Sequence, residues 1–278
     1  MVGCSEFMAE GFKQQLKSIV MVKNHNSLLP LKANTKVYVP KRRAPEGPNY
    51  WRHMLPERVY SPVSEVAIGE HFVKVDNPDD AEAAIVFIES PHSLWMGYDP
   101  KEGYIPISLQ YADYTAVAAR EHSIAGGDPF EDGCDRSYQG KTAHTINACD
   151  LDLLKSVRRV MGNKPVVVVV MMSNPTVMRE IEPLADAVLI GFDVQAQAYM
   201  SIIAGTCEPS ALLPFQLPES MEAVEVHCED CPHDIRPYCD ADGNIYDFAF
   251  GLNFSGIIRD DRTAKYVAPS QIVKDSEC

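Results

Sequence analysis

The spacing of apolar positions changes along the chain. Between residues 6 and 23, Phe12, Leu16, Ile19, Val20 and Lys23 fit a period of 3.6, which predicts an amphipathic helix with one buried stripe. Leu28-Leu29-Pro30-Leu31 leaves that helix, and Val37-Tyr38-Val39 predicts a short strand. Residues 40–62 are rich in proline and charge and predict a loop with one helical turn near 50–58. His71 to Val75 reads as a strand, and Asn77-Pro78-Asp79-Asp80 as a capped helix start with proline in the first turn. Ala84 to Glu89 predicts a buried strand.

The second half is more regular. Asp150 opens a helix that runs to Met161 and stops at Gly162-Asn163. Val166 to Met172 is an unbroken apolar run between Pro165 and Ser173-Asn174-Pro175, which predicts a strand covered on both faces in a parallel sheet. A short helix over 176–183, a strand from Ala187 to Gly191 and a helix over 195–204 follow, and Ile245 to Phe254 is strand-like. Alternating strands and helices predict an α/β fold: a three-layer α/β/α sandwich with a mostly parallel, flavodoxin-like sheet. The alternation gives about five or six units, too few for a closed eightfold barrel.

Residues 90–148 fit neither period. A structureless tract of this length inside a compact domain marks function or disorder. Its aromatic residues, Trp95, Tyr98, Tyr104, Tyr111, Tyr114 and Tyr138, argue against disorder.

Composition adds limits. The 278 residues are 46% hydrophobic and 23% charged, an ordinary globular balance. The formal net charge of −14 argues against nucleic acid, which demands clustered Lys and Arg. Lys41-Arg42-Arg43 is the one basic cluster and reads as a solvated loop. No apolar run is long enough to span a membrane, and no signal peptide is visible. Eight cysteines in a chain of this size predict free thiols in a reducing compartment. Cys228 and Cys231, flanked by His227 and His233 with Cys239 nearby, have the residue types of a zinc site, but no second ligand pair follows at finger spacing, so a surface loop is the better reading. No metal and no cofactor are expected. P-loop, G-x-G-x-x-G and H-E-x-x-H motifs are lacking, and Gly126-Gly127 is a turn signal without a strand–helix frame.

Four segments in order resemble the C-terminal α/β sandwich domain of glycoside hydrolase family 3, the β-glucosidase and β-xylosidase type. Ser18 to Asn24 with Leu28-Leu29-Pro30-Leu31 is similar to the family's SIVLLKN…LLPL opening. Lys164-Pro165, the valine strand and Ala185 to Leu189 resemble GKPVVVV…ADAIL. Glu208 to Pro214 resembles NPSGKLP, with Ala211 in place of a usual glycine, and Tyr246 to Phe254 resembles the closing FGYGLSY. Asp193 to Gln197 departs from the family's PGQEGG.

The resemblance implies a retaining mechanism with two carboxylates about 5–5.5 Å apart. In the family, a (β/α)8 barrel supplies the nucleophile and the sandwich domain supplies the acid/base on a loop. Phe130-Glu131-Asp132-Gly133-Cys134-Asp135-Arg136 resembles the family's acid/base loop, loosely E-x-x-G-[x]-D-R, with Glu131 four residues before Asp135. This implies Glu131 as general acid/base, with Asp135 and Arg136 orienting the loop or a sugar. Glu89, at a strand end, is the runner-up; Glu102 and Asp132 are weaker alternatives. Trp95, Tyr98 and Tyr138 suit stacking on sugar faces as well as ordinary packing. His92, Lys141 and His144 suit hydroxyl contacts, and Asn174 suits a helix cap.

The expectation is thus a single family 3 C-terminal domain over 1–278, with the long loop at about 90–148 and no barrel within the chain. Its ligand is a β-linked oligosaccharide or glycoside, and its exposed face favours a barrel partner or a second copy. The chain as given reads as cytoplasmic, or as periplasmic or secreted if a signal lies upstream. Alternatives are a non-catalytic carbohydrate-binding or pseudoenzyme module and a generic flavodoxin-like binding domain.

Overall fold

A computed structural model describes residues 3–48, 53–93, 98–99, 103–104, 107–118, 139–227 and 234–265. Eight strands form one mixed sheet: β1 (Val20–Asn24), β2 (Lys36–Tyr38), β3 (Val73–Val75), β4 (Ala83–Glu89), β5 (Val166–Met171), β6 (Ala187–Gly191), β7 (Leu252–Asn253) and β8 (Gly256–Ile257). Their spatial order is β8-β7-β1-β6-β5-β4-β2-β3. The run β6-β5-β4-β2-β3 is parallel throughout, whereas β1, β7 and β8 pair antiparallel. Taken in chain order, the five parallel strands follow the flavodoxin arrangement 2-1-3-4-5, as the alternating pattern predicts.

The centre of the sheet is apolar on both faces. Val166 to Val170 of β5 are fully buried, flanked by the buried Ala83 to Ile88 of β4 and Ala187 to Ile190 of β6. Helices flank this sheet: α1 (Ser5–Ser18), α2 (Glu65–Gly69), α3 (Cys149–Met161) and α4 (Ala196–Ile203). Helix α3 buries Leu151, Leu154, Val157 and Met161, packs along β4 and β5, and ends at Gly162 with φ +58°. Ser64 caps α2 by accepting from the Ala67 N–H. Asn77 caps a single 3₁₀ turn, Pro78–Asp80.

Four expected elements differ. The first helix stops at Ser18, Ile19 is extended, and Val20–Asn24 form a strand, with Ile19 to Val22 the buried stretch. These residues are buried on all sides between β6 and β7, so enclosure outweighs the helical spacing that Ile19 and Val20 share with Phe12 and Leu16. Within 40–62 the described residues pair as short strands, the ribbon, where a helical turn is expected: Arg42–Ala44 pairs with Arg58–Tyr60, and Gly47–Pro48 with Met54–Leu55. Pro45, Pro48 and Pro56 keep the segment out of a helix. The segment 176–183 makes two 3₁₀ turns, Met178–Glu180 and Glu182–Leu184, because Pro183 lacks the N–H that a longer helix needs. The tail is strand only at Leu252–Asn253, since Ala249 at φ +60° breaks the extended run.

Gly191, at the end of β6, is required by its neighbours. A Cβ there would lie 2.2 Å from Tyr199 Oη and 2.9 Å from Val194 Cγ2. Gly191→Ala is therefore expected to cost about 1–3 kcal/mol by overpacking. Tyr199 is fully buried and its hydroxyl has no hydrogen-bond partner among the described residues. Tyr199→Phe alone should then be nearly neutral and should recover part of the loss in the double variant. Urea unfolding of the four proteins checks this; equal losses with Tyr and Phe at 199 would refute the contact.

Candidate functional site

In open α/β sheets the crevice for ligands lies beyond the carboxyl ends of the strands, where the strand order reverses. Here that point falls between β2 and β4. Chain leaving β2 enters the ribbon at Arg42, and β4 ends at Glu89. Both side chains meet there.

Arg42 is 1% exposed and departs from the solvated reading of the basic cluster, whereas Lys41 and Arg43 are exposed as expected. Its guanidinium donates Nε to Asp150 Oδ1 and Nη2 to Asp150 Oδ2, both at 2.8 Å. Nη1 donates to Glu89 Oε1 at 2.6 Å and to the Tyr60 hydroxyl at 2.7 Å. Asp150 is equally buried and sits in the first turn of α3, where the helix dipole favours a carboxylate. Its Oδ2 also accepts from Asn147 Nδ2 at 3.1 Å and from the Glu89 N–H at 3.2 Å. Burial opposes the charge of Arg42, but the hydrogen bonds and charge of Asp150, with the charge of Glu89, outweigh it and raise its affinity for its proton. Burial pushes the Asp150 carboxyl up from its ordinary 3.8, and the Arg42 hydrogen bonds and charge pull it back.

The surrounding backbone is fixed by the same residues. Tyr111 donates its hydroxyl to the Glu89 carbonyl. Asn147 Nδ2 reaches the Ser90 carbonyl at 3.1 Å, and Asn147 Oδ1 accepts from the His92 N–H at 3.1 Å. Ser90 Oγ joins β4 to β5 by accepting from the Ser173 N–H at 3.0 Å. Glu180 holds the incoming loop by accepting from the N–H groups of Tyr111 and Ala112.

The long tract is therefore anchored at the carboxyl edge. Tyr114–Thr115 pairs antiparallel with Thr142–Ala143, which sets the two flanks of 119–138 side by side. Glu131, Asp132, Asp135, Arg136 and Tyr138 lie outside the described residues, as do Trp95 and Glu102. Of Tyr98, the described feature is its backbone pairing with Tyr104. His92 Nδ1 lies 3.3 Å from the Ser90 carbonyl, and His144, exposed, pairs with Asp113 at 2.9 Å. Asn174 caps no helix; its carbonyl accepts from the Thr176 hydroxyl and its N–H contacts Ser90 Oγ. Cys228, Cys231 and His233 are outside the described residues, and among the described residues no group of three His, Cys, Asp or Glu is placed to hold a metal.

A concavity of about 510 Å³ opens beyond β6 between Phe192, Leu212, Phe248 and Arg262. Its walls are mostly apolar, and Arg262 turns its charge to Asp260 at 2.7 Å. The chemistry-bearing groups are those at the switch point. Arg42 and Asp150 were hidden in the sequence: one sat in a basic run, the other in a helix start. The available signal was their position after the first and before the fourth βα element of the parallel sheet.

A flavodoxin-like α/β domain with a polar cluster at its switch point defines a class with many functions. The family model narrows it. The chain belongs to the glycosyl hydrolase family 3 C-terminal domain, whose model matches residues 19–254. It is 25% identical over 257 residues to the probable β-glucosidase C of Aspergillus flavus, covering 91% of this chain and 30% of that protein. The periplasmic β-glucosidase/β-xylosidase of Dickeya chrysanthemi is 21% identical over 257 residues, covering 90% and 29%. The fold is shared with a crystal structure of β-glucosidase from Listeria innocua in complex with isofagomine, at TM-score 0.53 and 15% identity over 91% of this chain and 34% of that one. The chain thus spans about 30% of the length of the curated relatives it matches. Among the described residues, no helix is long and apolar enough to cross a membrane.

Proposed function

We propose that this chain is the sandwich-domain part of a retaining β-glycosidase of β-glucosidase type, contributing the acid/base loop for hydrolysis of terminal β-linked sugars. The observation that carries the reading is the family 3 match over 19–254, because that domain's tract between β4 and α3 here bears the E-x-x-x-D-R sequence. In this reading Glu131 protonates the leaving group and later deprotonates water, Asp135 and Arg136 orient the loop, and Trp95, Tyr98 and Tyr138 offer faces to the sugar. The nucleophile comes from a (β/α)8 barrel outside these 278 residues. Phe7 and Met8 of α1 and Met54, Leu55 and Val59 of the ribbon are exposed apolar side chains available to such a partner or to a second copy.

The test is turnover of p-nitrophenyl β-glucoside by the purified chain, alone and mixed with a family 3 barrel. Alone, turnover should fall at least 10³-fold below that of a complete enzyme, since one of two reacting carboxylates is missing. Mixing should restore it. High turnover by the chain alone, or none on mixing with a barrel that binds it, would overturn the reading. Saccharide binding without turnover in the bound pair would favour the non-catalytic module.

A further inference from the structure

The charges at the switch point are unequally satisfied. The two oxygens of Asp150 take four donors: Nε and Nη2 of Arg42, Nδ2 of Asn147 and the Glu89 N–H. Arg42 and Asp150 thus form a neutral, buried and saturated pair. Glu89 is the charge left over. Its Oε1 accepts from Arg42 Nη1 at 2.6 Å, its Oε2 accepts from no described residue, and its side chain is 39% exposed against 1% for each of the other two. The residue is nevertheless held at three points: its N–H donates to Asp150, its carbonyl accepts from Tyr111 and Asn147, and its carboxylate rests on Arg42.

A fixed, partly exposed carboxylate with one oxygen that accepts from no described residue is a preorganised acceptor. It suits O–H donors, whose hydrogen bonds to a carboxylate are short and strong. The cluster carries a net charge of −1, from one guanidinium and two carboxylates, so anionic ligands are repelled. A metal ion would need further ligands, and no such group exists among the described residues. The glycosidase reading supplies a neutral polyhydroxyl ligand that fits this acceptor.

We propose that Glu89 is a saccharide-binding residue that accepts hydrogen bonds from sugar hydroxyls at the β2/β4 switch point, and that Arg42 is its positioning residue. The inference rests on the glycosidase reading for its ligand class. It adds a binding group that is separate from Glu131 and present in the chain by itself.

The experiment is a titration of the full 278-residue chain with laminaribiose and with methyl β-glucoside, followed by saturation-transfer NMR. The wild-type chain should bind one or both. Glu89→Gln keeps the shape but removes the charge, and should weaken binding at least tenfold with the melting curve little changed. Arg42→Lys keeps a cation but loses the fork, and should weaken binding three- to tenfold in the wild-type background. In the Glu89→Gln background it should have no further effect on affinity, a coupling that a merely structural role of Arg42 does not produce. If Arg42→Lys fails to fold, the Glu89→Gln comparison still decides the case. Equal affinity of wild type and Glu89→Gln overturns the proposal. Absence of saccharide binding by the wild-type chain also overturns it; turnover on mixing with a barrel then shows that the glycosidase reading survives, and no turnover shows that both have failed.

Discussion

Arg42→Met is expected to destabilise the domain by about 3–5 kcal/mol, the range for removing one partner of a buried ion pair. Methionine fills most of the volume, so little of this loss is cavity. The loss comes from Asp150, which stays 1% exposed with two of its four donors gone. For a domain of this size the melting temperature should drop on the order of 10 °C. Differential scanning calorimetry measures it, and a loss below about 1 kcal/mol would mean that the pair does not carry the ribbon-to-α3 junction. A second substitution, Asp150→Asn, removes the unpaired charge but keeps an acceptor for Asn147 and for the Glu89 N–H. The double variant should therefore be more stable than Arg42→Met alone.

The same variant has a pH signature. Burial already pushes the Asp150 carboxyl up from 3.8, and the hydrogen bonds and charge of Arg42 are what oppose the rise. Without Arg42 the native carboxyl moves further up, so the native state binds a proton more tightly than the unfolded chain does. A carboxyl raised in this way contributes stability that is fully present below the unfolded value and lost as pH rises through the native one. The deficit of Arg42→Met relative to wild type should be largest at neutral pH and shrink toward pH 4. Denaturant unfolding across that range checks the sign.

This cluster also marks where sequence reasoning stops. The parallel core was legible because an unbroken apolar run such as Val166 to Val170 has few uses other than a strand covered on both faces. Alternating elements then gave the fold class, and Ala187 to Gly191 was bounded to the residue. Ile19 to Val22 misled because an apolar quartet after an amphipathic stripe continues the helical period as readily as it starts a strand. Only its neighbours β6 and β7, distant in sequence, settle the matter.

The switch-point cluster was illegible for a related reason. Arg42 and Asp150 are 108 positions apart, and each has an ordinary local explanation. Charged residues are mostly solvated, so a basic run reads as surface, and an acid at a helix start reads as a dipole partner. Glu89 was the exception. It stands at the end of an apolar strand, where side chains of an α/β sheet reach the crevice, and its position alone singled it out.

Glu131→Gln, in the chain paired with a barrel, is expected to lower turnover of laminaribiose by about 10²–10⁴-fold, the usual contribution of a positioned acid/base. The amide keeps the shape and removes the ionisable carboxyl, so the residue can neither give nor take a proton in the cycle. Leaving groups that depart as stable anions need no proton, so the first step on 2,4-dinitrophenyl β-glucoside should change far less. The second step still needs a base to activate water. With that base gone, the glycosyl–enzyme intermediate should accumulate, visible as a burst of dinitrophenolate. Azide attacks without losing a proton and should restore turnover of this substrate as the glucosyl azide. A parallel fall on both substrates, or no rescue by azide, would remove Glu131 from the acid/base role. The opposite case, in which Glu89→Gln rather than Glu131→Gln gives the burst and the rescue, would transfer the proton to the switch point. That outcome is disfavoured by geometry, since Oε1 of Glu89 is already taken by Arg42 Nη1. A carboxyl that must give and take a proton in each cycle is hindered by a guanidinium held on one of its oxygens.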